Sequence, residues 1–299
     1  MYIKNPYVQI HIAVFLWGFT AILGKLISLD AIELVFFRMS LAALGYVLIP
    51  KTREGFLELS KKKLSALCLI GTIICLHWLS FYGSIKVANS SSLALACLGT
   101  GPLFTAWLEP LFNKGKKITS NEIFISILAI IGIIFIAFGD KNQHFEWNGT
   151  YFTAMILGIL ASVLAAIFSL MNKHFTAGVN PFTISFVEMS IGALLLSLFL
   201  LATHKFPQLT AMSTSNWIYI LILSTLCTNI PFLLSIFAIK KLNPFVITLT
   251  VNLEPIYGFI FAALLFQEYN QFSLAFYFGS LLILLSVFVE PIQKYLGRK

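Results

Sequence analysis

Glu254 stands inside an apolar run from 244 to 266, directly before Pro255. A carboxyl group in hydrocarbon costs about 2.5–3.5 kcal/mol on insertion scales, so it needs a chemical reason to be there. Proline withdraws one backbone N–H donor, which leaves a carbonyl of the preceding turn unpaired. A carboxylate beside loosened backbone near the middle of a span can bind an ammonium group or carry a proton. Thr250, Glu254 and Tyr257 share a face at helical spacing, and Asn252 lies on the adjacent stripe. The same glutamate could instead brace two helices, and the two uses are compatible.

Pro102 interrupts another apolar run after Gly99, Thr100 and Gly101. Here no carboxylate accompanies the proline, so two kinked helices would enclose a cavity matched in backbone and unmatched in charge. The plainer reading is a pair of packing kinks. His77, Ser80, Phe81 and Ser84 lie on one helical face, with Trp78 and Tyr82 on a neighbouring aromatic stripe. Aromatic walls with a few polar groups suit a small amphipathic ligand, and a ring can hold a cation. A single histidine in a span more often bonds to a neighbouring helix. Asn229, Thr225 and Thr228 are weaker candidates, because such groups also join helices. Lys25 and Arg38 lie toward the outer ends of their spans, and Lys173 and Glu188 toward the inner ends of theirs. They suggest two charged layers that gate a path or anchor a carboxylate, although long basic side chains near helix ends also extend to the interface. Glu109 is expected to be structural, within reach of Lys114, Lys116 and Lys117.

These residues must be positioned by helices in lipid. The 299 residues are 59% hydrophobic and 11% charged, with mean hydropathy +0.90, against about 25% charged in soluble proteins. Ten apolar runs of spanning length lie near 8–28, 32–50, 64–84, 91–112, 122–139, 149–171, 182–202, 216–237, 244–266 and 272–290. The first is expected to be a retained span and not a cleaved leader. With the N-terminus in the cytoplasm, 15 of the 20 Lys and Arg residues fall on the inner side. That bias orients both termini inward and removes a nucleic-acid reading of the +8 charge. Cys68, Cys75, Cys97 and Cys227 all fall within spans and read as packing residues.

Ile85, Lys86, Asn89 and Pro102 recur as Ile239, Lys240, Asn243 and Pro255, an offset of 154 falling to 153. An offset of half the length indicates duplication, and five spans per copy would set the copies upside down relative to each other. The expected fold is therefore an all-α membrane protein of ten transmembrane helices, arranged as two inverted five-helix repeats around a central cavity. Residues 1–140 form the first repeat, 141–148 a linker and 149–299 the second.

Trp17-Gly18 followed by Lys25, then Arg38, Pro102-Leu103-Phe104, Leu253-Glu254-Pro255 and Phe266-Gln267-Glu268 resemble the EamA-like family of the drug/metabolite transporter superfamily. Members usually close the fourth span with a Gly-Glu pair. This chain has Asn113-Lys114 there and keeps the glutamate only in the second half, at Glu268. The resemblance implies export of an amino acid or related amphipathic metabolite by alternating access. It implies no cofactor and no metal, and leaves open a coupling proton, the substrate's identity and the oligomeric state. With Asp30 and Asp140 the only aspartates, no acidic pair exists to hold magnesium on a diphosphate. H-E-x-x-H, G-x-S-x-G and Walker A patterns are absent too. The competing class is a non-transporting membrane sensor or an intramembrane enzyme on the same helices.

Overall fold

The computed structural model describes residues 5–113, 115–139, 149–207, 212–239, 241–242, 250–251 and 253–296. Asn252, the linker 141–148, Lys114, and Lys240 and Asn243 of the repeat lie outside them. Helices carry the architecture: α1 (Pro6–Trp17), α2 (Thr20–Leu26), α3 (Ala31–Val47), α4 (Pro50–Leu57), α5 (Lys61–Ala88), α6 (Ser91–Leu98) and α7 (Gly101–Phe112). Then come α8 (Ser120–Ala137), α9 (Thr150–Phe175), α10 (Pro181–Ala202), α11 (Thr214–Ser224), a π-helical turn (Thr225–Asn229) and α12 (Ile230–Ile239). The chain closes with α13 (Glu254–Phe266), a 3-10 turn (Glu268–Asn270) and α14 (Leu274–Leu296).

Helix starts are written in the sequence. Asp30 with Glu33 and Thr119 with Glu122 form reciprocal capping boxes, while Ser60, Ser90, Asn180 and Ser213 cap with one side-chain bond each. Proline opens α1, α4, α10 and α13, where its missing N–H removes no helical bond. In hydrocarbon such local satisfaction of the backbone is obligatory.

Seven stretches of the described residues are long and apolar enough to cross a bilayer, or eight if the bent pair α3–α4 is counted as one span. The helices Glu254–Phe266 and Leu274–Ser286 are apolar but shorter. The described residues thus support seven to eight of the ten expected spans by length and composition. The expected ninth span begins at 244, and most of its first part falls on residues outside those described. The segment after the second span, read as a connecting stretch, is in fact helical. There α4 turns 90° from α3, because Ile49 is extended, Pro50 starts a new helix and Arg53 Nε caps the carbonyl of Val47 at 3.0 Å.

Basic side chains gather at one end of the bundle, the basic face. Lys63 donates to the carbonyls of Phe175 and Ala177 at 2.7 and 3.1 Å, and Asn180 reaches the carbonyl of Lys51. At the opposite face Lys86 donates to the carbonyl of Ile27, and Ser28 and Asn216 exchange two hydrogen bonds of 3.0 and 2.6 Å. Between the faces α5 packs along α9, α3 along α10 and α8 along α14. The largest core cluster joins Leu34, Met39, Ile74 and Tyr82 to Met189 and Leu223. Leu44, Leu111, Leu198 and Leu264 are exposed around the outside, as lipid-facing side chains must be.

Several spans are interrupted at mid-depth. The first breaks at Gly18, where α1 gives way to α2, and α6 gives way to α7 at Gly99 and Thr100 just before Pro102. The eighth contains the π-helical turn, and α13 starts at Glu254 with Pro255 in its first turn. These breaks adjoin one another: a Cβ on Gly18 would lie 2.8 Å from the Cβ of Tyr257, and one on Gly258 would meet Leu95.

Close crossings need glycine. A Cβ on Gly71 of α5 would lie 2.6 Å from the carbonyl oxygen of Glu188 on α10, against backbone that cannot swing aside. Gly71→Ala is therefore expected to lose about 1–3 kcal/mol, read as a lower melting temperature of the purified protein. On the same helix a Cβ on Gly83 meets only Leu157 at 3.4 Å, so Gly83→Ala should be neutral or stabilising. Equal melting temperatures for the two variants would contradict this crossing.

Candidate functional site

Arg38 lies in α3, eight residues past the Asp30 cap, and is 2% exposed. A guanidinium cannot shed its charge, so burying it requires donors matched to acceptors on every side. Trp78 and Tyr82 stand four residues apart on α5 and therefore face the same way. The guanidinium carbon stacks 3.7 Å from the Trp78 ring centroid and lies 5.6 Å from that of Tyr82. Nη1 donates to the Tyr82 hydroxyl at 2.6 Å, and Nε donates to Thr228 Oγ1 at 2.9 Å.

The π-helical turn explains why Thr228 accepts. Its hydroxyl hydrogen is committed to the carbonyl of Leu223, five residues back, at 2.7 Å. Its lone pairs therefore remain for Arg38, which is a use of a π-turn at a polar site. Phe232 seats its ring edge-on to both Trp78 and Trp17, at 5.8 and 6.0 Å. Aromatic packing thus fixes the platform on which the charge rests.

Glu254 is half-buried at the start of α13, within electrostatic reach of both Arg38 and Tyr82. Among the described residues the two opposite charges make no ion pair within 4 Å. Each lies within electrostatic reach of the other without direct contact. A guanidinium and a carboxyl group arranged in this way could be complementary to a small molecule carrying the reverse pair.

The other expected site residues divide. Arg38, expected in a charged layer, instead sits with Trp78 and Tyr82, which were expected to contact ligand. His77 faces away: its Nδ1–H donates to the carbonyl of Ala161 on α9 at 2.7 Å, and its ring meets Phe168 edge-on. The Thr100 hydroxyl is occupied by the carbonyl of Cys97 and by Ser162 Oγ, at 2.6 and 3.1 Å, stitching the α6–α7 break to α9. Tyr257 packs on Phe15 and Gly18. Asn229 offers its backbone carbonyl to the Tyr46 hydroxyl at 2.8 Å. The ring of Arg38 partners includes Thr228 as a principal member, and only the extra residue of the π-turn brings it there.

A model described as the EamA-like transporter family matches residues 5–138 and again residues 152–289. The chain belongs to the EamA-like transporter family. That family is part of the drug/metabolite transporter superfamily, so this EamA-like protein is a multi-pass membrane protein of transporter type, built on two repeats. A solved crystal structure of a protein shares its fold, with a TM-score of 0.64 at 15% identity over 96% of both chains. No curated protein matches the chain.

Charged clusters close the two ends of this EamA-like bundle. At the opposite face Glu268, 1% exposed, pairs with Lys25 at 2.9 Å. It also accepts from Ser90 Oγ, from the amide and hydroxyl of Ser91, and from the Ser92 amide, at 2.7–3.1 Å. These amides form the N-terminus of α6, where a carboxylate is favoured. Burial alone would push the Glu268 carboxyl up, but Ser92 and Lys25 outweigh it and hold it below the usual glutamate range. At the basic face Glu109 accepts from Lys116 and, at 3.5 Å, from Lys173. Burial lowers the Lys116 ammonium, yet bonds to Glu109 and Glu122 hold it above the usual lysine value. Lys173 is thus partly engaged while remaining 42% exposed. A pocket of about 550 Å³ also lies at the opposite face between Asp30, Glu33, Lys205 and Asn216, sharing no residue with the Arg38 group.

Removing Glu268 orphans Lys25 and several α6 donors at once, so Glu268→Ala should cost roughly 3–5 kcal/mol. Lys25→Met leaves the serine donors in place and should cost less, about 1.5–3 kcal/mol. Because folding depresses this acid, its stabilisation is present above the ordinary value of 4.5 and is lost as pH falls through the lower folded-state value. Melting temperatures recorded against pH should therefore separate wild type from Glu268→Ala at neutral pH and converge in acid.

Proposed function

We propose that this protein is a secondary transporter that moves an amino acid or a related amphipathic metabolite across the cytoplasmic membrane by alternating access. The observation that carries this reading is the buried Arg38 guanidinium, held on Trp78, Tyr82 and Thr228, within electrostatic reach of Glu254 and without a direct ion pair to it. An amino acid complements these two groups by charge: its carboxylate would face Arg38 and its ammonium Glu254, with Trp78 and Tyr82 beside the apolar part. Asn252 and Tyr257, near Glu254 in sequence, are the next candidates to line the same space.

Alternating access needs two closures. Lys25 with Glu268 on one side and Lys173 with Glu109 on the other are suited to break in turn. Two repeats in inverted orientation, hinged where Pro102 and Pro255 restart their helices, would make the two movements equivalent. The basic bias assigns both termini and the basic face to the cytoplasm. Export is the direction the family resemblance favours. Neither a cofactor nor a metal enters this cycle.

Counterflow of radiolabelled amino acids into liposomes holding the purified protein tests the reading. Arg38→Gln should reduce exchange about 10–100-fold, the worth of one to two charged hydrogen bonds. Arg38→Lys should not restore it, because an ammonium cannot stack and bond bidentately at once. A folded protein that exchanges no amphipathic metabolite, or an Arg38→Gln variant that exchanges like wild type, would overturn it and favour a sensor.

A further inference from the structure

A second buried carboxylate lies apart from the Arg38 group. Glu188 sits on α10, seven residues past Pro181, which at 1.5 Å per residue is about 10 Å from the basic-face end of that helix. It is 0% exposed, and neither carboxyl oxygen has a hydrogen-bond partner among the described residues. Asn172 Oδ1, Ser185 Oγ and Asn229 Oδ1 share that condition. Asn172 faces Glu188 from α9, Ser185 lies one turn before it on α10, and Tyr46 of α3 stands within electrostatic reach. The one hydroxyl hydrogen of Tyr46 is spent on the carbonyl of Asn229. The result is a buried acid whose polar neighbours, the Asn172 amide and the Ser185 and Tyr46 hydroxyls, are all neutral, so a carboxylate there meets dipoles but no counter-charge, which is costly in a dry interior.

The α5 crossing covers this stretch of α10, where Gly71 lies against the Glu188 backbone. Among the described residues no cation pairs with Glu188. Lys173 turns to Glu109, and His174, its neighbour on α9, stacks on Phe112. From α5 the titratable groups beside this stretch of α10 are Cys75, which packs at Gly192 a turn beyond Glu188, and Cys68, which packs on the cluster that holds Ile184 and Val187. α12 carries no charged residue, while α4 meets α10 through the Thr52 carbonyl and turns Arg53 to Val47. One carboxylate with a few neutral oxygens falls short of the about six to eight oxygen ligands a calcium ion takes. One proton, by contrast, removes the uncompensated charge: on a Glu188 oxygen it neutralises the acid, and its O–H can bond Asn172 Oδ1 or Ser185 Oγ, two acceptors otherwise without a partner.

We infer that Glu188, Asn172, Ser185 and Tyr46 form a proton-binding site in the basic-face half of the bundle, and that this proton is the ion coupled to transport. The site stands on its own geometry; its coupling role rests on the transporter reading above. Loading transfers a proton from water at the basic face to a Glu188 oxygen, and unloading returns it to water when the surrounding helices part. Substrate and proton then occupy different carboxylates, Glu254 and Glu188.

Infrared difference spectra of the purified wild-type protein test the site without any substrate. The expected result is a protonated-carboxyl stretching band at neutral pH that fades reversibly as pH rises, is absent in Glu188→Gln and is displaced in frequency in Asn172→Ala. Glu188→Gln is isosteric with the protonated acid and should fold. Three outcomes would overturn the inference: no band assignable to Glu188 at any pH, a band removed by sodium at fixed pH, or a band that persists unchanged into alkali. In liposomes, an imposed pH gradient should drive accumulation in wild type and not in Glu188→Gln. Driven uptake that survives the substitution would remove the coupling role while leaving the site, and failure of all transport with the band intact would count against the transporter reading alone.

Discussion

A guanidinium buried in the middle of a lipid-facing bundle constrains everything around it. Arg38 cannot neutralise, so α3, α5 and the eighth span must converge on it with an aromatic face, a hydroxyl and a threonine oxygen at fixed distances. The π-turn at Thr225–Asn229 is the backbone's adjustment to that demand, since it frees the Thr228 oxygen by sending its hydrogen five residues back. Trp17, Phe232 and Trp78 then lock the platform. Glu254 stands within electrostatic reach of Arg38 without a direct ion pair, and the proposed substrate reading rests on that arrangement.

The helix breaks follow the same logic. Irregular backbone in hydrocarbon persists only where protein or a cavity surrounds it, and the interruptions at Gly18, at Thr100 and at Glu254 adjoin one another near mid-depth. Pro102 and Pro255 each restart a helix, one with a carboxylate beside it and one without. The ends of the bundle carry the opposite kind of chemistry: direct ion pairs at Glu268 and Glu109 that tie helices together.

Much of the fold was legible because lipid imposes a simple grammar. Apolar runs, caps and prolines marked the helices to within a few residues, and the family match over both halves agrees with the duplication read from Ile85 to Pro102. α4 was missed because its eight residues are too polar to register as a span and too few to show a period. The site was half legible. Trp78, Tyr82 and Glu254 stood out by type and depth, whereas Arg38 was assigned to a charged layer because distance from a helix end says nothing about which way a side chain turns. His77 and Thr100 carried the same polar signal, yet their hydrogen bonds go to α9 and join helices. Glu188 was seen as a charge in a layer. That it meets no counter-charge among the described residues is a property of packed helices, and no one-dimensional pattern carries it.

The central claim is that Arg38 and Glu254 together read a molecule of paired, opposite charge. Thermal unfolding of the purified protein with three matched ligands tests it most directly: an amino acid, its methyl ester, and the corresponding acid without the amine. Binding to the native state raises the melting temperature by mass action. The zwitterion should stabilise the protein and the two singly charged analogues should do so far less, with the difference vanishing in Glu254→Gln and Arg38→Gln. Equal stabilisation by the ester or the acid would contradict a site built on two charges.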